Sequence, residues 1–481
     1  MATLKEKTAQ GLFWGLINNG SVQLLSLIFG ILLARKLTPD DYGIVGMIAI
    51  FSALASCLQE SGFGAALINI KNIKEIDYNT VFWFNVAVGI VSYIILYLAA
   101  PLIASFFHQP CLINLSRFVF ITLLISAVGI APNAILNRNL MVKEKTIIGF
   151  FAMTISGIVG ITLAYNGFSY WSLAWQQVLF ILVYNVGRYY YTRWHPRFIF
   201  DSNRLKSMFG FSYKLLITYI INNVYSNLLS FVFGRLFRQR ADIVGYYNQA
   251  NKWNTMAFSF VSSTLAQVAQ PVFATINDDL DRQGQVLRKM IRFAAFLSFP
   301  AMFGLSLVAK EFIVILLGDK WLESVKLLQI LCIGGAFMPF YTIYQNLFVS
   351  MGKSATYMWF NTIQILLVLT VVLLFHKWGL TIMVTAFTIL NILMLLPWQL
   401  KAKKETGVTL AETLKDIIPF LLVASLTMAI TYIITFKIEN IYLLFILRVI
   451  IAVIIYLCTL KLLHAKILNE CIDFIINKIK K

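Results

Sequence analysis

The sequence predicts an all-α polytopic membrane protein of about 14 transmembrane helices, built as two six-helix lobes related by internal duplication plus two C-terminal helices. Three observations lead there. Hydrophobic residues make up 59% of the 481 and charged residues only 13%, far from the balance of a soluble chain. Apolar windows of about 20 residues, enough to cross the hydrocarbon of a bilayer, recur from end to end. A stretch near 34–43 returns near 234–247.

The windows lie near 11–34, 43–66, 80–107, 112–136, 147–165, 169–189, 208–234, 244–270, 290–309, 325–350, 355–375, 379–399, 416–436 and 441–463. The first follows a short basic lead-in and carries no small-residue cleavage pattern, so it is expected to stay as a span. Loops between windows are short, which disfavours an active site in a folded extramembrane domain. Lysine and arginine concentrate in the N-terminus and every second loop, placing both termini on the cytoplasmic side. The net charge of +19 is thus read by side of membrane; no basic block is dense or aromatic-interleaved enough for nucleic acid.

The five cysteines show neither metal-ligand spacing nor an even framework, and the four histidines are scattered at loops or span ends. No phosphate-binding glycine loop is present for ATP. No metal, cofactor or enzymatic activity is expected.

The repeat sets Ala34-Arg35-Lys36-Leu37 through Gly43 beside Gly234-Arg235-Leu236-Phe237 through Tyr247, with a weaker echo of Leu98–Ile103 in Val308–Ile313. With the first and seventh spans as counterparts, the lobes become residues 1–200 and 201–400, parallel in orientation, followed by two helices and a basic tail over 401–481. The stretch Gly210–Pro271 opens the second lobe and is unusually polar for membrane-length segments.

The chain resembles the polysaccharide transporters of the multidrug/oligosaccharidyl-lipid/polysaccharide exporter superfamily, which includes Wzx- and WzxC-type flippases. The residues that carry the resemblance are Gly11-Leu-Phe-Trp14, Leu33-Ala-Arg-Lys-Leu-Thr-Pro-Asp-Asp-Tyr-Gly43 and Glu60-Ser-Gly-Phe-Gly-Ala-Ala-Leu-Ile68. Further on come Pro132-Asn-Ala-Ile-Leu-Asn-Arg138, Gly245-Tyr-Tyr-Asn248, Leu316-Leu-Gly-Asp-Lys-Trp321 and Met351-Gly-Lys353. The resemblance implies a flippase that moves an undecaprenyl-diphosphate-linked oligosaccharide across a bacterial inner membrane by alternating access through a central cationic cavity. It also implies membrane lipids, glycosyltransferases and a glycan polymerase as pathway partners. Two alternatives stand beside it. A cation-coupled small-molecule antiporter of the same superfamily should show an acidic cavity, and a membrane-embedded glycan polymerase or ligase should carry a large outer loop.

A diphosphate bearing sugars needs cations for its phosphates and amides or hydroxyls for its sugars. Lys252 lies about 12 Å along its span, at 1.5 Å per residue. Asn248, Asn251 and Thr255 share its face, and Ser259, Ser262, Ser263, Gln267 and Gln270 continue the stripe, so the stripe is expected to line the cavity, against interhelical hydrogen bonding. Lys214 is shallower, and either lines the path or snorkels to the interface. Asn18, Asn19 and Gln23 of the first span and Asn222, Asn223 and Asn227 of the seventh offer sugar-type hydrogen bonds or helix packing. Arg117 and Arg448 read better as interfacial anchors, with Arg117 also placed to meet a pyrophosphate at release. Arg35 and Arg235 occupy matching positions at the outer mouth, as headgroup attractors or solvated loop charges. Glu60 stands as the acid within the spans, either an ion-coupling carboxylate or a helix-end residue paired with a base. With so few acids, membrane potential, worth about 2.3 kcal/mol per charge per 100 mV, or downstream removal of the substrate remains as a drive.

Overall fold

The computed structural model describes residues 22–60, 63–70, 72–237, 240–276, 279–465, 467–468 and 470, and its regular elements are all helical. Helix α1 covers 22–36. It is followed by α2 (Pro39–Glu60), α3 (Phe63–Asn69), α4 (Glu75–Phe107), α5 (Leu112–Val119), α6 (Ile121–Val128) and α7 (Ile130–Arg138). Next come α8 (Val142–Tyr165), α9 (Trp171–Thr192), α10 (Ser202–Leu236), α11 (Ala241–Thr275), α12 (Leu280–Leu307) and α13 (Ala309–Leu317). The chain ends through α14 (Glu323–Gly335), α15 (Met338–Ser350), α16 (Ser354–Leu374), α17 (Leu380–Leu393), α18 (Leu395–Thr406), α19 (Leu410–Thr435) and α20 (Ile441–Leu462).

Among the described residues, ten helical stretches are long and apolar enough to cross a membrane, or eleven if the pair Leu112–Val128 and Ile130–Arg138, bent by 48°, forms one span. Length and composition thus stop short of the fourteen expected. The other three predicted windows fall on 11–34, described only from residue 22, and on α9 and α11. Those two helices are long enough but too polar to count: α9 carries Gln176, Gln177, Asn185 and Arg188, and α11 the stripe around Lys252.

By contact the chain forms two compact units, Met1–Gly245 and Tyr246–Lys481. Helix α10, the opening helix of the sequence-level second repeat, packs within the first unit against α2, α4 and α3.

In the first unit the Thr38-Pro-Asp-Asp-Tyr-Gly43 segment shows why those residue types occur together. Thr38 caps α2: Asp41 Oδ2 accepts from Thr38 N and Oγ1 at 2.8 Å each, and Thr38 Oγ1 accepts from Asp41 N at 3.3 Å. Pro39 takes the first helical position, where a missing N–H costs nothing. Gly43 lies against the backbone of Ala241, where a β-carbon would strike the Ala241 carbonyl. The repeat-related Gly245 lies in the same way against the carbonyl of Pro39. The two contacts are reciprocal, with Gly43 and Gly245 offset by the same interval as Pro39 and Ala241, and Asp242 N donates to Asp40 Oδ1 at 3.1 Å beside them. The weaker echo is unlike in structure: Leu98–Ile103 runs unbroken through the last third of α4, whereas Val308 breaks α12 from α13.

The bend between α6 and α7 follows from Gly129 and Pro132. Proline has no N–H for the carbonyl four residues back, which frees Val128 O. Tyr189 of α9 donates its hydroxyl to that oxygen at 2.7 Å, and Asn185 Nδ2 donates to Ile125 O one turn earlier. A β-carbon on Gly129 would overlap Asn185. After α7, Arg138 Nη1 donates to the carbonyls of Leu67, Ile68 and Ile70 at 3.1, 3.0 and 2.7 Å, capping the end of α3. The segment before α10 is pinned to the start of α4. Arg197 N donates to Asn79 Oδ1 at 2.6 Å and Arg204 bonds buried Asp77 at 2.6 Å, which pushes its guanidinium further up from its ordinary value.

The second unit packs α12 against α19, α14 and α15 around Phe299, Phe340 and Trp398. Several polar groups inside it are paired with one another. Gln364 Nε2 donates to Asn391 Oδ1 at 2.8 Å, Tyr341 donates to Asn391 O at 2.6 Å, and Tyr344 to Gln399 Oε1 at 2.7 Å.

Candidate functional site

A cavity of about 640 Å³ lies inside the first unit, and nearly every helix of that unit reaches it. The bend at Gly129–Pro132 turns α7 so that Asn133 and Asn137, one helical turn apart, lie on its wall. Helix α9 supplies Tyr184, Asn185 and Arg188, again on one face, and α4 supplies Asn85. The broken segment α3 contributes Gly64 and Ile68.

Two motifs that read in the sequence only as family markers, 60–68 and 132–138, therefore converge on one wall. The linear signal for Asn133 and Asn137 is their i, i+4 spacing, and for Asn185 and Arg188 their i, i+3 spacing in a predicted span. Sequence reasoning singled out none of these four.

The polar groups on the wall of the cavity are four amides, several hydroxyls and one cation, Arg188. Arg188 Nη1 donates to Asn185 Oδ1 at 2.8 Å and its guanidinium stacks 4.5 Å from the Tyr184 ring. Behind the wall, Lys145 Nζ donates to Oδ1 of the lining Asn137 at 2.6 Å. Asn85 is fully buried; its Nδ2 donates to Val81 O at 2.8 Å, while its Oδ1 has no partner among the described residues. None of the described lining residues is acidic. Such a surface can hydrogen-bond hydroxyls and an oxyanion.

The predicted residues are distributed as follows. Along α11, one face is buried in apolar packing through Tyr247, Ala250, Trp253, Val261, Leu265 and Ala269. The other carries Asn248, Asn251 and Lys252, half-buried, then exposed Thr255, Ser263, Gln267 and Gln270. Lys252 Nζ lies 5.7 Å from the centroid of the Trp253 ring. Asn223 Nδ2 donates to Cys57 Sγ of α2 at 3.1 Å and to Tyr219 O at 3.0 Å, and Asn227 donates to Asn223 O at 2.9 Å. Both are thus engaged in helix packing and back-bonding, and Asn222 is half-buried beside them. Gln23 is exposed on α1, and Asn18 and Asn19 lie outside the described residues. So do the side chains of Lys214, in α10, and Glu60, at the end of α2.

Arg117 stacks 4.3 Å over Tyr97 of α4, an anchoring geometry. Arg35 is exposed, whereas Arg235 donates to Phe106 O at 2.7 Å and stacks on the Phe106 ring, so the repeat-related pair occupies unlike surroundings. Arg448 corrects the expectation of an interfacial anchor. It is buried and ion-paired to Glu311 at 2.8 Å, with Thr435 Oγ1 at 3.2 Å and Leu307 O at 3.2 Å. The reason is the break at Val308, which turns Glu311 inward at the start of α13, just beyond the predicted span. Glu60 is likewise not alone among intramembrane acids: Glu311 and Asp416 are buried, and both are held by arginines.

A chain of membrane-length helices whose first unit holds a cavity with four asparagines and an arginine on its wall is a multi-pass membrane protein. It belongs to the polysaccharide biosynthesis protein family, whose model matches residues 32–326. The teichuronic acid biosynthesis protein TuaB of Bacillus subtilis (strain 168) is 26% identical over 350 residues, covering 70% of this chain and 69% of its own. The lipopolysaccharide biosynthesis protein WzxC of Escherichia coli (strain K12) is 27% identical over 339 residues, covering 69% and 68%. Among solved structures, the lipid II flippase MurJ superposes with a TM-score of 0.78 over 95% of this chain and 99% of its own at 14% identity, which shows a shared fold.

Proposed function

We propose that this protein is a flippase that carries an undecaprenyl-diphosphate-linked oligosaccharide, a repeat unit of O-antigen, capsule or exopolysaccharide, across the bacterial inner membrane. It acts as a transporter and not as an enzyme, with both termini cytoplasmic. The observation that carries the reading is the cavity of the first unit: four asparagines and Arg188 on its wall, and no acid among its described lining residues. Polar lining inside a membrane bundle is costly and marks a pathway or binding site by default. The amide and cation content matches sugar hydroxyls and phosphates. An antiporter for organic cations needs the opposite sign. The relatives named for teichuronic acid and lipopolysaccharide biosynthesis support the same cargo class. The polar face of α11, with Asn248, Asn251 and Lys252, is assigned to the cargo's path, as are Asn222, Gln23 and Lys214. Arg35 and Arg235 sit at its outer mouth.

The test uses the full chain in proteoliposomes with a fluorescent undecaprenyl-diphosphate-linked oligosaccharide and a leaflet-protection readout. Transbilayer movement that depends on the protein is expected. No movement of the glycan lipid, with movement of an organic cation instead, would overturn the reading in favour of the antiporter. In cells, Lys252→Glu should abolish surface glycan at normal membrane protein level; wild-type export from that variant would remove α11 from the path.

A further inference from the structure

The segment from Arg193 to Asp201, between α9 and α10, has no regular structure, yet it carries a run of outward apolar side chains. Phe198, Ile199 and Phe200 are all exposed, the two phenylalanines by more than half, and Tyr190 in the last turn of α9 is 75% exposed. This exposure is not slack in the chain. Arg197 N donates to Asn79 Oδ1 at 2.6 Å, and Arg197 O accepts from Trp83 Nε1 at 2.8 Å. Asp201 N donates to Thr80 Oγ1 at 3.1 Å, and the Arg197 side chain pairs with Glu75 at 2.9 Å. A segment fixed in this way holds an apolar patch outward that water does not favour.

The neighbouring helix indicates what covers the patch. On α4, Ile90, Ile94, Leu98 and Leu102 are exposed along one face of a membrane-length helix, the face that suits lipid. Trp83 lies two turns before Ile90 on that face, about 10 Å along the axis. Phe198 stacks on the Trp83 ring at 4.6 Å, so the patch extends the apolar stripe at its end. Irregular backbone cannot enter hydrocarbon, where its free N–H and C=O groups find no water, and the headgroup layer is the depth that suits it. Aromatic side chains are enriched at that depth. Arg193 and Lys206 flank the patch and are exposed. The acids beside it, Glu75, Asp77 and Asp201, are taken by Arg197 and Arg204, so neither flanking cation meets a carboxylate among the described residues.

We propose that the segment between α9 and α10 is an interfacial anchor for anionic phospholipid, with Phe198, Ile199 and Phe200 seated at the boundary of the acyl chains and Arg193 and Lys206 binding the headgroup. Continuity with the apolar face of α4 favours lipid over a soluble protein partner as the occupant.

The experiment places a bimane fluorophore on Phe200→Cys, and separately on Tyr190→Cys, in the full chain without native cysteines. The protein is reconstituted in vesicles of phosphatidylcholine and phosphatidylglycerol, where brominated lipids quench from the bilayer and iodide quenches from water. Lipid quenching comparable with that of a Leu98→Cys reporter is expected, with iodide quenching well below that of Glu439→Cys in an exposed turn. Brominated phosphatidylglycerol should be preferred over brominated phosphatidylcholine at the reporter by about 5-fold or more, the effect of one cation at an anionic surface. Arg193→Gln with Lys206→Gln should abolish that preference, and Arg193→Lys with Lys206→Arg should retain it. Iodide quenching at both reporters without lipid quenching overturns the anchor and leaves the patch to a soluble partner. Equal quenching by the two lipids, or a preference unmoved by the double glutamine variant, overturns the headgroup role of Arg193 and Lys206.

Discussion

The reciprocal glycine contact makes a prediction whose sign separates packing from helix propensity. Gly43 and Gly245 each stand in the first turn of a helix, where alanine is the better helix former by about 1 kcal/mol. On local grounds Gly43→Ala should therefore stabilise α2. The packing says the opposite, because the added methyl would occupy the place of the Ala241 carbonyl, a backbone atom with no rotamer in which to retreat. Overpacking of a close contact costs about 1–3 kcal/mol. If the contact persists in only one of the protein's conformations, that cost falls on that conformation alone and lowers its population relative to the others by about 5- to 150-fold. The reporter is Ala241→Cys, at a position only 1% exposed, in a background without native cysteines. Its labelling by a membrane-impermeant maleimide should rise by a factor in that range when Gly43→Ala is added. By the reciprocity of the repeat, Gly245→Ala should raise it comparably. Unchanged labelling together with unchanged glycan export would refute the reasoning.

Removing one partner of the buried pair, as in Arg448→Met, should destabilise the protein by about 3–5 kcal/mol because Glu311 is left buried and unpaired, and Arg448→Met with Glu311→Leu should recover most of it; melting in detergent reads both. Arg138→Ala deletes three charge-assisted bonds to the end of α3 and should loosen it, measured as faster backbone hydrogen exchange over Phe63–Asn69 with slower exchange elsewhere unaffected. Tyr189→Phe strands the Val128 carbonyl freed by Pro132 and should cost about 1–3 kcal/mol in the same melting assay.

The helical class, most span positions and the polar face of α11 were legible because each rests on periodicity within one segment: an apolar run, or Asn248, Asn251, Lys252 and Thr255 at i+3 and i+4. The cavity of the first unit was not, although its residues lie in quoted motifs. Its wall depends on a bend at Gly129–Pro132 and on α9 side chains that satisfy the freed carbonyls of Ile125 and Val128, which are tertiary facts. Arg448 was misjudged for a related reason. Its depth along α20 suggested snorkelling, and nothing in its own segment announces a carboxylate 137 residues upstream. Asn223 reads identically as sugar ligand or packing residue until Cys57 is seen beside it.

The cations of this protein differ in their partners as well as in their depth. Arg204, Arg288 and Arg448 differ in exposure, yet each is bonded to a carboxylate that is nearly buried, so their charge is spent on holding helices together. Lys145 is bonded to an amide, and Lys252 lies by the ring of Trp253; among the described residues neither meets a carboxylate. Desolvating an ammonium costs several kcal/mol, and an amide or a ring face returns only part of that. Retaining such a group inside a membrane protein is costly unless an anion visits it. The two lysines come from different compact units, one in each.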